Sequence, residues 1–162
     1  NQGFTKINTK YVLILNSDCE FTNSGIGNAL RQFHHGVGIV GPAIRRDSDD
    51  TPRFPQLYPE LKLPVDVILG SCMVFDMDAL SKVGFFDERY IIGNFEDFDL
   101  CLRMVEHQYS LVVDQSTEII HHVHKSFDDG NVDLDSHYVQ NKKVFIEKWK
   151  SQGKSIIKRY TL

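Results

Sequence analysis

Acidic and imidazole side chains cluster in three short segments of the sequence, and such groups can hold a cation or move a proton. The first segment is Asn16-Ser17-Asp18-Cys19-Glu20, directly after the apolar run Tyr11–Leu15. That run predicts a strand buried on both faces. Ligands of open α/β sheets bind beyond the carboxyl ends of strands, so oxygen ligands placed here could hold a hard divalent cation. An ordinary turn is the alternative, because Asn, Ser and Asp are common turn residues.

The second segment carries Glu96, Asp97 and Asp99 at the start of a predicted helix. As an alternative to chemistry, Asn94 could cap this helix while the acids complement its dipole. At about 100° per residue, Asp97 lies at the edge of the apolar stripe and Glu96 points almost opposite to it. We therefore expect Asp97 to face a crevice, where it could accept a proton from a hydroxyl group. Asp99 and Arg103 are four residues apart and are expected to pair with each other.

The third segment is His121-His122-Val123-His124. On a strand, His122 and His124 face one side and His121 the other, and any of them could add an imidazole to an oxygen-rich metal site. A histidine-rich strand edge without a ligand is the alternative.

Gly70 and Ser71 interrupt a predicted strand with two small residues. Such a break lets a ligand approach the backbone closely, or it marks a β-bulge. Both interpretations stay open from the sequence.

The elements that would position these residues alternate between strand and helix. After a short helical turn in residues 1–10, strands are predicted at 11–15, 37–44, 65–75, 110–113 and 118–121, and helices at about 26–33, 76–83, 94–106 and 133–151, with a long proline-rich loop at 45–65. This alternation predicts an α/β fold with a mixed sheet flanked by helices. The length of 162 residues fits one domain, 1–162, ending in the helix at 133–151.

Composition excludes several classes of function. The net charge is −4, so the chain carries no general positive field, and nucleic acid is a poor candidate partner. The longest apolar run falls well short of the roughly 20 residues that span a bilayer, and the chain does not open on a secretory signal, so we expect a soluble cytoplasmic protein. Three cysteines without C-x-x-C spacing are expected to be free thiols.

Taken in order, the motifs resemble family 2 glycosyltransferases of the GT-A fold, especially their rhamnosyltransferase-like branch. The resemblance covers about residues 1–127. It rests on Tyr-Val-Leu-Ile-Leu-Asn-Ser-Asp (11–18), Gly-Pro (41–42), Gly-Ser-Cys-Met-Val-Phe (70–75), Val-Gly-Phe-Phe-Asp-Glu (83–88), Phe-Glu-Asp-Phe-Asp-Leu-Cys-Leu-Arg (95–103), Ile-Ile-His-His (119–122) and Lys-Ser-Phe (125–127).

The resemblance implies an inverting, metal-dependent transfer of a sugar from a nucleotide-diphosphate sugar, with Mn²⁺ or Mg²⁺ as cofactor. Asn16, Ser17 and Asp18 match the family's D-x-D position, with Asn in place of the first acid, and Asp18 would bind the cation. His121 best matches a later histidine that contacts the metal or the diphosphate, with His122 and His124 as alternatives. Glu20 could supplement Asp18 or face solvent.

The same resemblance assigns the remaining site residues. Asp97 matches the catalytic base, in a Glu-Asp motif that begins with Glu96. Gly70 and Ser71 match the strand that lines the donor-sugar pocket, and Asp99 with Arg103 would be structural or lie on the acceptor side. The expected acceptor is a saccharide or a lipid-linked saccharide, as in the synthesis of cell-surface polysaccharide.

In one respect the sequence departs from the family pattern: relatives have a nucleoside-binding half before the D-x-D strand, and we expect that half to be missing here. We expect this chain to be the C-terminal part of such a domain, to bind donor weakly or not at all by itself, and to self-associate through exposed strand edges. Five basic residues could contact an anionic membrane surface at the inner face of the membrane, or simply be solvated: Arg45, Arg46, Lys142, Lys143 and Lys150. Two other functions remain open, a non-catalytic carbohydrate-binding or interaction module, and a phosphate-ester hydrolase using Asp18 with His121 or His122.

Overall fold

A computed structural model describes residues 1–22, 25–46, 67–122 and 133–151. The loop predicted at 45–65 lies outside this part of the chain from residue 47 onward. His124 and the Lys-Ser-Phe motif at 125–127 also lie outside the described residues.

Five strands form one sheet in the spatial order β1-β4-β3-β5-β2. Their bounds are β1 Tyr11–Leu15, β2 Cys19–Phe21, β3 Val37–Arg46, β4 Cys72–Asp76 and β5 Ser110–His121. The β3–β5 pair is parallel, and the other pairs are antiparallel. The predicted α/β fold with a mixed sheet is confirmed. Because of these directions, the carboxyl ends of β1, β3 and β5 and the amino ends of β2 and β4 all lie at the same end of the sheet.

Helices cover both faces of this sheet. They are a 3₁₀ turn at Phe4–Lys6, then α1 Ile26–Arg31, α2 Met77–Val83, α3 Glu96–Glu106 and α4 Leu134–Ser151. The larger core joins one face of the sheet to α2, α3 and α4, and its fully buried members include Phe75, Leu100, Met104, Phe145 and Trp149. On the opposite face, Ala29 of α1 packs in a smaller cluster with Val37, Val40 and Val74.

Strand β1 is an edge strand, so the prediction that it is buried on both faces is wrong. Leu13 is 37% exposed and Leu15 is 38% exposed, whereas Val12 and Ile14 pack against the larger core. A strand is buried on both faces only where other layers cover both faces, and a strand at the side of the sheet lies beyond part of that cover. Here the strand order leaves one side of β1 without a partner among the described residues.

Two further differences concern β2 and β5. The three residues of β2 pair with β5 and were not expected as a strand. The strands predicted at 110–113 and 118–121 form one continuous strand with a register shift opposite Pro42 and Ala43. Strand β2 is important for the site, because it places Cys19 opposite His121 in the ladder.

The segment that leads into Gly70 is held from two sides. A Cβ atom at Gly41 would collide with the Ile68 side chain, so only glycine lets β3 approach this segment so closely. From the other side, the Ile68 backbone N–H lies 3.4 Å from Cys101 Sγ. These contacts fix the backbone just before the two small residues of the site.

Candidate functional site

A tight turn carries the first acidic segment from β1 to β2. The Cys19 N–H donates to the Asn16 carbonyl at 3.1 Å, which closes a four-residue turn. The Asn16 N–H donates to the Ser71 carbonyl at 2.9 Å. The turn anticipated from the residue types is therefore present, and it fixes Asp18 beside the small-residue segment. Asn16 and Ser17 are exposed on it.

Asp18 and His121 meet at the end of this turn. His121 Nε2 lies 3.4 Å from Asp18 Oδ1, and the His122 N–H donates to the Asp18 carbonyl at 2.8 Å. The Asp18 side chain is only 8% exposed, yet its buried Oδ1 accepts no hydrogen bond from the described residues. A buried carboxylate oxygen without a donor is costly unless a cation or a ligand satisfies it.

Cys19 adds a third donor to this pair. One ligand atom from each of Asp18, Cys19 and His121 lies within 4.8 Å of the others. Burial and the neighbouring Asp18 carboxylate raise the pKa of the Cys19 thiol to about 12. The thiol therefore carries its proton near neutral pH when no cation is bound. The prediction that the cysteines are free thiols is confirmed for all three.

Asp97 of α3 binds the small-residue segment, Gly70 and Ser71, through a hydrogen bond from Gly70. Its Oδ2 accepts from the Gly70 N–H at 2.8 Å, and its Oδ1 accepts from the Phe98 N–H at 2.8 Å. The residue is 8% exposed. Burial raises the pKa of the Asp97 carboxyl, and the hydrogen bonds from Gly70 and Phe98 oppose that shift. Asp97 was expected at the edge of the apolar stripe, facing a crevice, and its carboxylate is buried and hydrogen-bonded to Gly70.

Glu96 turns inward, contrary to the helical-wheel prediction. Its Oε2 is buried and accepts no hydrogen bond from the described residues. Burial, followed by the nearby Asp97 carboxylate, raises the pKa of Glu96 to about 7. The helix starts at Glu96 after a left-handed Phe95, so the predicted side-chain cap at Asn94 is wrong. Glu96 is the first residue of α3, where an ideal helical wheel is least reliable as a guide to burial.

Ser71 completes a set of buried polar atoms without partners along one edge of the sheet. Its Oγ is buried and makes no hydrogen bond within the described part of the chain, like Asp18 Oδ1 and Glu96 Oε2. Hydrogen bonds link the segments that carry these residues: the Ser71 carbonyl accepts from the Asn16 N–H, two residues before Asp18, and the Gly70 N–H donates to the side chain of Asp97, which follows Glu96. Unsatisfied polar groups gathered in this way are typical of a site that binds a polar ligand.

Other predicted residues lie beside this site or away from it. Glu20 is exposed and its Oε1 is 3.5 Å from His122 Nε2, so these two side chains pair with each other. Asp99 is fully buried, and its Oδ2 accepts from Arg103 Nε at 2.8 Å, which confirms the predicted pair. Arg103 also donates to the carbonyls of residues 83, 84 and 85. These contacts tie Asp99 on α3 to Arg103, and Arg103 to the segment 83–85.

Sequence reasoning did not single out Asn141, which supports the site from α4. This fully buried side chain accepts from the Ile91 N–H at 3.0 Å, and its Nδ2 donates to the carbonyls of Ile91, Gly93 and Asn94. That loop leads directly into α3. The sequence does contain a signal for this role. Asn141 occupies a core position of an amphipathic helix, and a buried amide needs hydrogen-bond partners.

The basic residues considered for membrane contact differ in exposure and in pairing with acidic residues. Arg45 donates to Glu118 at 3.1 Å, whereas Lys143 and Lys150 are exposed. Among the described helices, none combines the length and the apolar character that crossing a bilayer requires.

Comparisons with known proteins give a structural likeness. No family model and no curated protein matches the chain. A solved structure that matches is the mannosyltransferase PcManGT from Pyrobaculum calidifontis in complex with GDP-Man and Mn²⁺, with a TM-score of 0.62 and 15% sequence identity. The match covers 90% of this chain and 42% of the mannosyltransferase, so this chain spans less than half of that protein's length. The chain therefore has a glycosyltransferase-like fold.

Proposed function

We propose that this chain carries the cation-binding and proton-accepting residues of a glycosyltransferase that uses a nucleotide-diphosphate sugar and a divalent cation. The observation that carries the proposal is the buried Asp18 Oδ1, which accepts no hydrogen bond from the described residues and lies 3.4 Å from His121 Nε2. The shared fold with a mannosyltransferase solved with GDP-Man and Mn²⁺ supports a nucleotide-sugar donor and a cation.

Asp18 and His121 would hold the cation, through a carboxylate oxygen and an imidazole nitrogen. The bound cation would neutralise the charge that builds on the departing diphosphate. Asn16 and Ser17 lie on the same turn and are exposed, so they would contact the donor. Ser71 Oγ and the backbone at Gly70 would line the sugar, since Ser71 Oγ is buried and makes no hydrogen bond with the described residues.

Asp97 would take the proton of the acceptor hydroxyl. Its burial raises the pKa of the carboxyl, which makes it a stronger base than an exposed aspartate. The Gly70 and Phe98 N–H groups fix the orientation of its two oxygens. The buried charge of Glu96 beside it favours proton uptake by the pair. One carboxylate used as a base, without a protein nucleophile, gives a single displacement with inversion.

The finer assignments follow the motif resemblance. We propose a rhamnosyltransferase-like enzyme with a saccharide or lipid-linked saccharide acceptor, acting in polysaccharide synthesis at the inner face of the membrane. Lys143 and Lys150 would supply a weak membrane contact, and the exposed edge of β1 would supply self-association.

The test measures donor binding and turnover separately. Titration calorimetry with millimolar nucleotide-diphosphate sugars and Mn²⁺ detects binding even when it is weak. We expect Mn²⁺-dependent binding that Asp18→Asn abolishes and Asp97→Asn retains, with sugar transfer lost in both variants. Transfer retained by Asp97→Asn would reject the base. Cleavage of simple phosphate esters without an acceptor would favour the hydrolase instead.

A further inference from the structure

The side chain of Cys19 has no role in the mechanism above, although it borders the cation-binding pair. Cys19 and His121 are directly opposed in the antiparallel β2–β5 ladder, which places their side chains on one face of the sheet. Asp18 precedes Cys19 and brings its Oδ1 to within 3.4 Å of His121 Nε2. A carboxylate oxygen, a thiol sulfur and an imidazole nitrogen thus converge from two neighbouring strands.

The distances suit one cation shared by three ligands. The three ligand atoms lie within 4.8 Å of one another. Ligands of a tetrahedral zinc at about 2.0–2.3 Å from the metal stand roughly 3–4 Å apart, which small side-chain rotations would reach from here. The Asp18 side chain is more than nine-tenths buried, and its Oδ1 accepts no hydrogen bond from the described residues although His121 Nε2 lies 3.4 Å away.

We propose that Cys19 is a third protein ligand of the cation held by Asp18 and His121, and that its sulfur makes this site prefer cations that accept thiolate, such as Zn²⁺ or Co²⁺, over Mg²⁺. The inference rests on the proposed function for the roles of Asp18 and His121. On coordination, the Cys19 S–H bond breaks, its proton passes to solvent, and the sulfur electron pair forms the bond to the metal.

The chemistry of the ligands sets this preference. Mg²⁺ takes oxygen ligands in octahedral geometry and gains little from sulfur, whereas imidazole and thiolate suit zinc and cobalt. Three protein ligands also leave at least one coordination position open, as catalytic metal sites do. A diphosphate oxygen of the donor would fill that position.

Cobalt substitution tests the proposal without any assay of turnover. A sulfur-to-cobalt charge-transfer band in the near ultraviolet appears only when a thiolate binds Co²⁺. We expect the full chain to show this band on Co²⁺ addition, Cys19→Ser to lose it together with at least tenfold in Zn²⁺ affinity, and Mg²⁺ affinity to stay unchanged. Cys101→Ala is the matched control and should keep the band, because Cys101 is buried in the larger core and is not one of the three clustered ligands.

A second measurement uses the unaltered protein, so it does not depend on folding of the variant. Cys19 is the one half-buried cysteine, and Cys72 and Cys101 are buried. We expect Zn²⁺ to slow alkylation of Cys19 at least tenfold and Mg²⁺ to leave it unchanged. Co²⁺ binding without the band, no Co²⁺ binding at all, or equal alkylation with and without Zn²⁺ would overturn the proposal.

The two proposals fail in different ways. A charge-transfer band with no detectable donor binding would refute the transferase function and leave the Cys19 ligand standing. Donor binding that depends on Asp18, without a charge-transfer band, would refute the Cys19 ligand and leave the transferase function standing.

Discussion

The Gly70 N–H donates to Asp97 Oδ2 at 2.8 Å and thereby ties the start of α3 to the residue pair before β4. The neighbouring Ser71 carbonyl accepts from the Asn16 N–H, so the same two residues also hold the turn that carries Asp18. The acidic turn and the acidic helix are therefore positioned by one short backbone segment. Their relative placement depends on that segment more than on direct contact between the two aspartates.

Side-chain bulk at Gly70 should disturb this arrangement in proportion to its size. A Cβ atom there would lie 3.4 Å from both Asp97 Cβ and Asp97 Oδ2, which is ordinary contact, so Gly70→Ala should cost less than about 1 kcal/mol. Gly70→Val adds two methyl groups facing Asp97 and should cost about 1–3 kcal/mol. Urea denaturation of both variants measures these costs. Equal stability of the alanine and valine variants would contradict the close approach.

The buried carboxyl of Glu96 should make stability fall as the pH rises. Its pKa is raised from 4.5 to about 7, so the protonated form favours folding. The stabilisation is full below pH 4.5 and is lost as the pH rises through about 7. Glu96→Gln lacks this titrating group, so its free energy of unfolding should fall less between pH 5 and pH 8 than that of the parent. The two decreases should differ by up to about 3 kcal/mol.

Denaturation of the parent and the variant at the two pH values measures the difference, and titration of all other groups largely cancels in the comparison. Glu147→Gln is the control, since Glu147 is exposed on α4. It should show no such dependence on pH. A Glu96→Gln variant that follows the parent at both pH values would show that Glu96 is solvated.

The buried Asp99 should be essential for stability. Its oxygens lie close to four donors, Arg103 Nε at 2.8 Å, Lys148 Nζ at 2.6 Å, Trp149 Nε1 at 3.1 Å and the Tyr90 hydroxyl at 3.3 Å. Replacing Asp99 by Asn removes the charge that balances two cations, and breaking a buried pair in this way costs about 3–5 kcal/mol. Thermal and chemical denaturation measure the loss.

Arg89 offers a matched surface comparison. It pairs with Asp87 at 2.6 Å, but its side chain is 59% exposed. Arg89→Gln should therefore cost less than about 1 kcal/mol. A loss of stability for Asp99→Asn as small as that for Arg89→Gln would show that the buried cluster is not electrostatically important.

Local patterns in the sequence predicted the helices well. Apolar spacing at Tyr138, Phe145 and Trp149 predicted α4, and the last two are buried in the larger core. The order of motifs predicted a glycosyltransferase-like fold, because those motifs follow strand ends and helix starts. Each of these features depends on residues close together in the chain.

Features that depend on distant partners could not be predicted in this way. Whether Leu13 is buried depends on the strand order, which no local pattern encodes. Strand β2 has only three residues, and it forms because β5 pairs with it. The burial of Glu96 was also missed, because Glu96 is the first residue of α3 and follows a left-handed Phe95, whereas a helical wheel describes only the regular part of a helix.

Asn141 should control the shape of the loop that leads into the site helix. Four successive residues of that loop have positive φ angles: Ile92 at 46°, Gly93 at 70°, Asn94 at 68° and Phe95 at 74°. Residues other than glycine rarely adopt this backbone conformation, which persists only when surrounding contacts impose it. The Asn141 amide supplies those contacts from α4, with hydrogen bonds to the backbone of residues 91, 93 and 94.

Asn141→Ala leaves buried backbone groups without partners and should cost about 1–3 kcal/mol. Asn141→Asp should cost more, because a carboxylate in place of the amide nitrogen would face three carbonyl oxygens that it cannot satisfy. Hydrogen exchange measures the local effect, and we expect faster exchange of the amides at 91–98 in both variants. The amides of β3, which do not contact Asn141, serve as the internal control. Unchanged exchange at 91–98, or an aspartate variant as stable as the parent, would show that the loop keeps its shape without this amide.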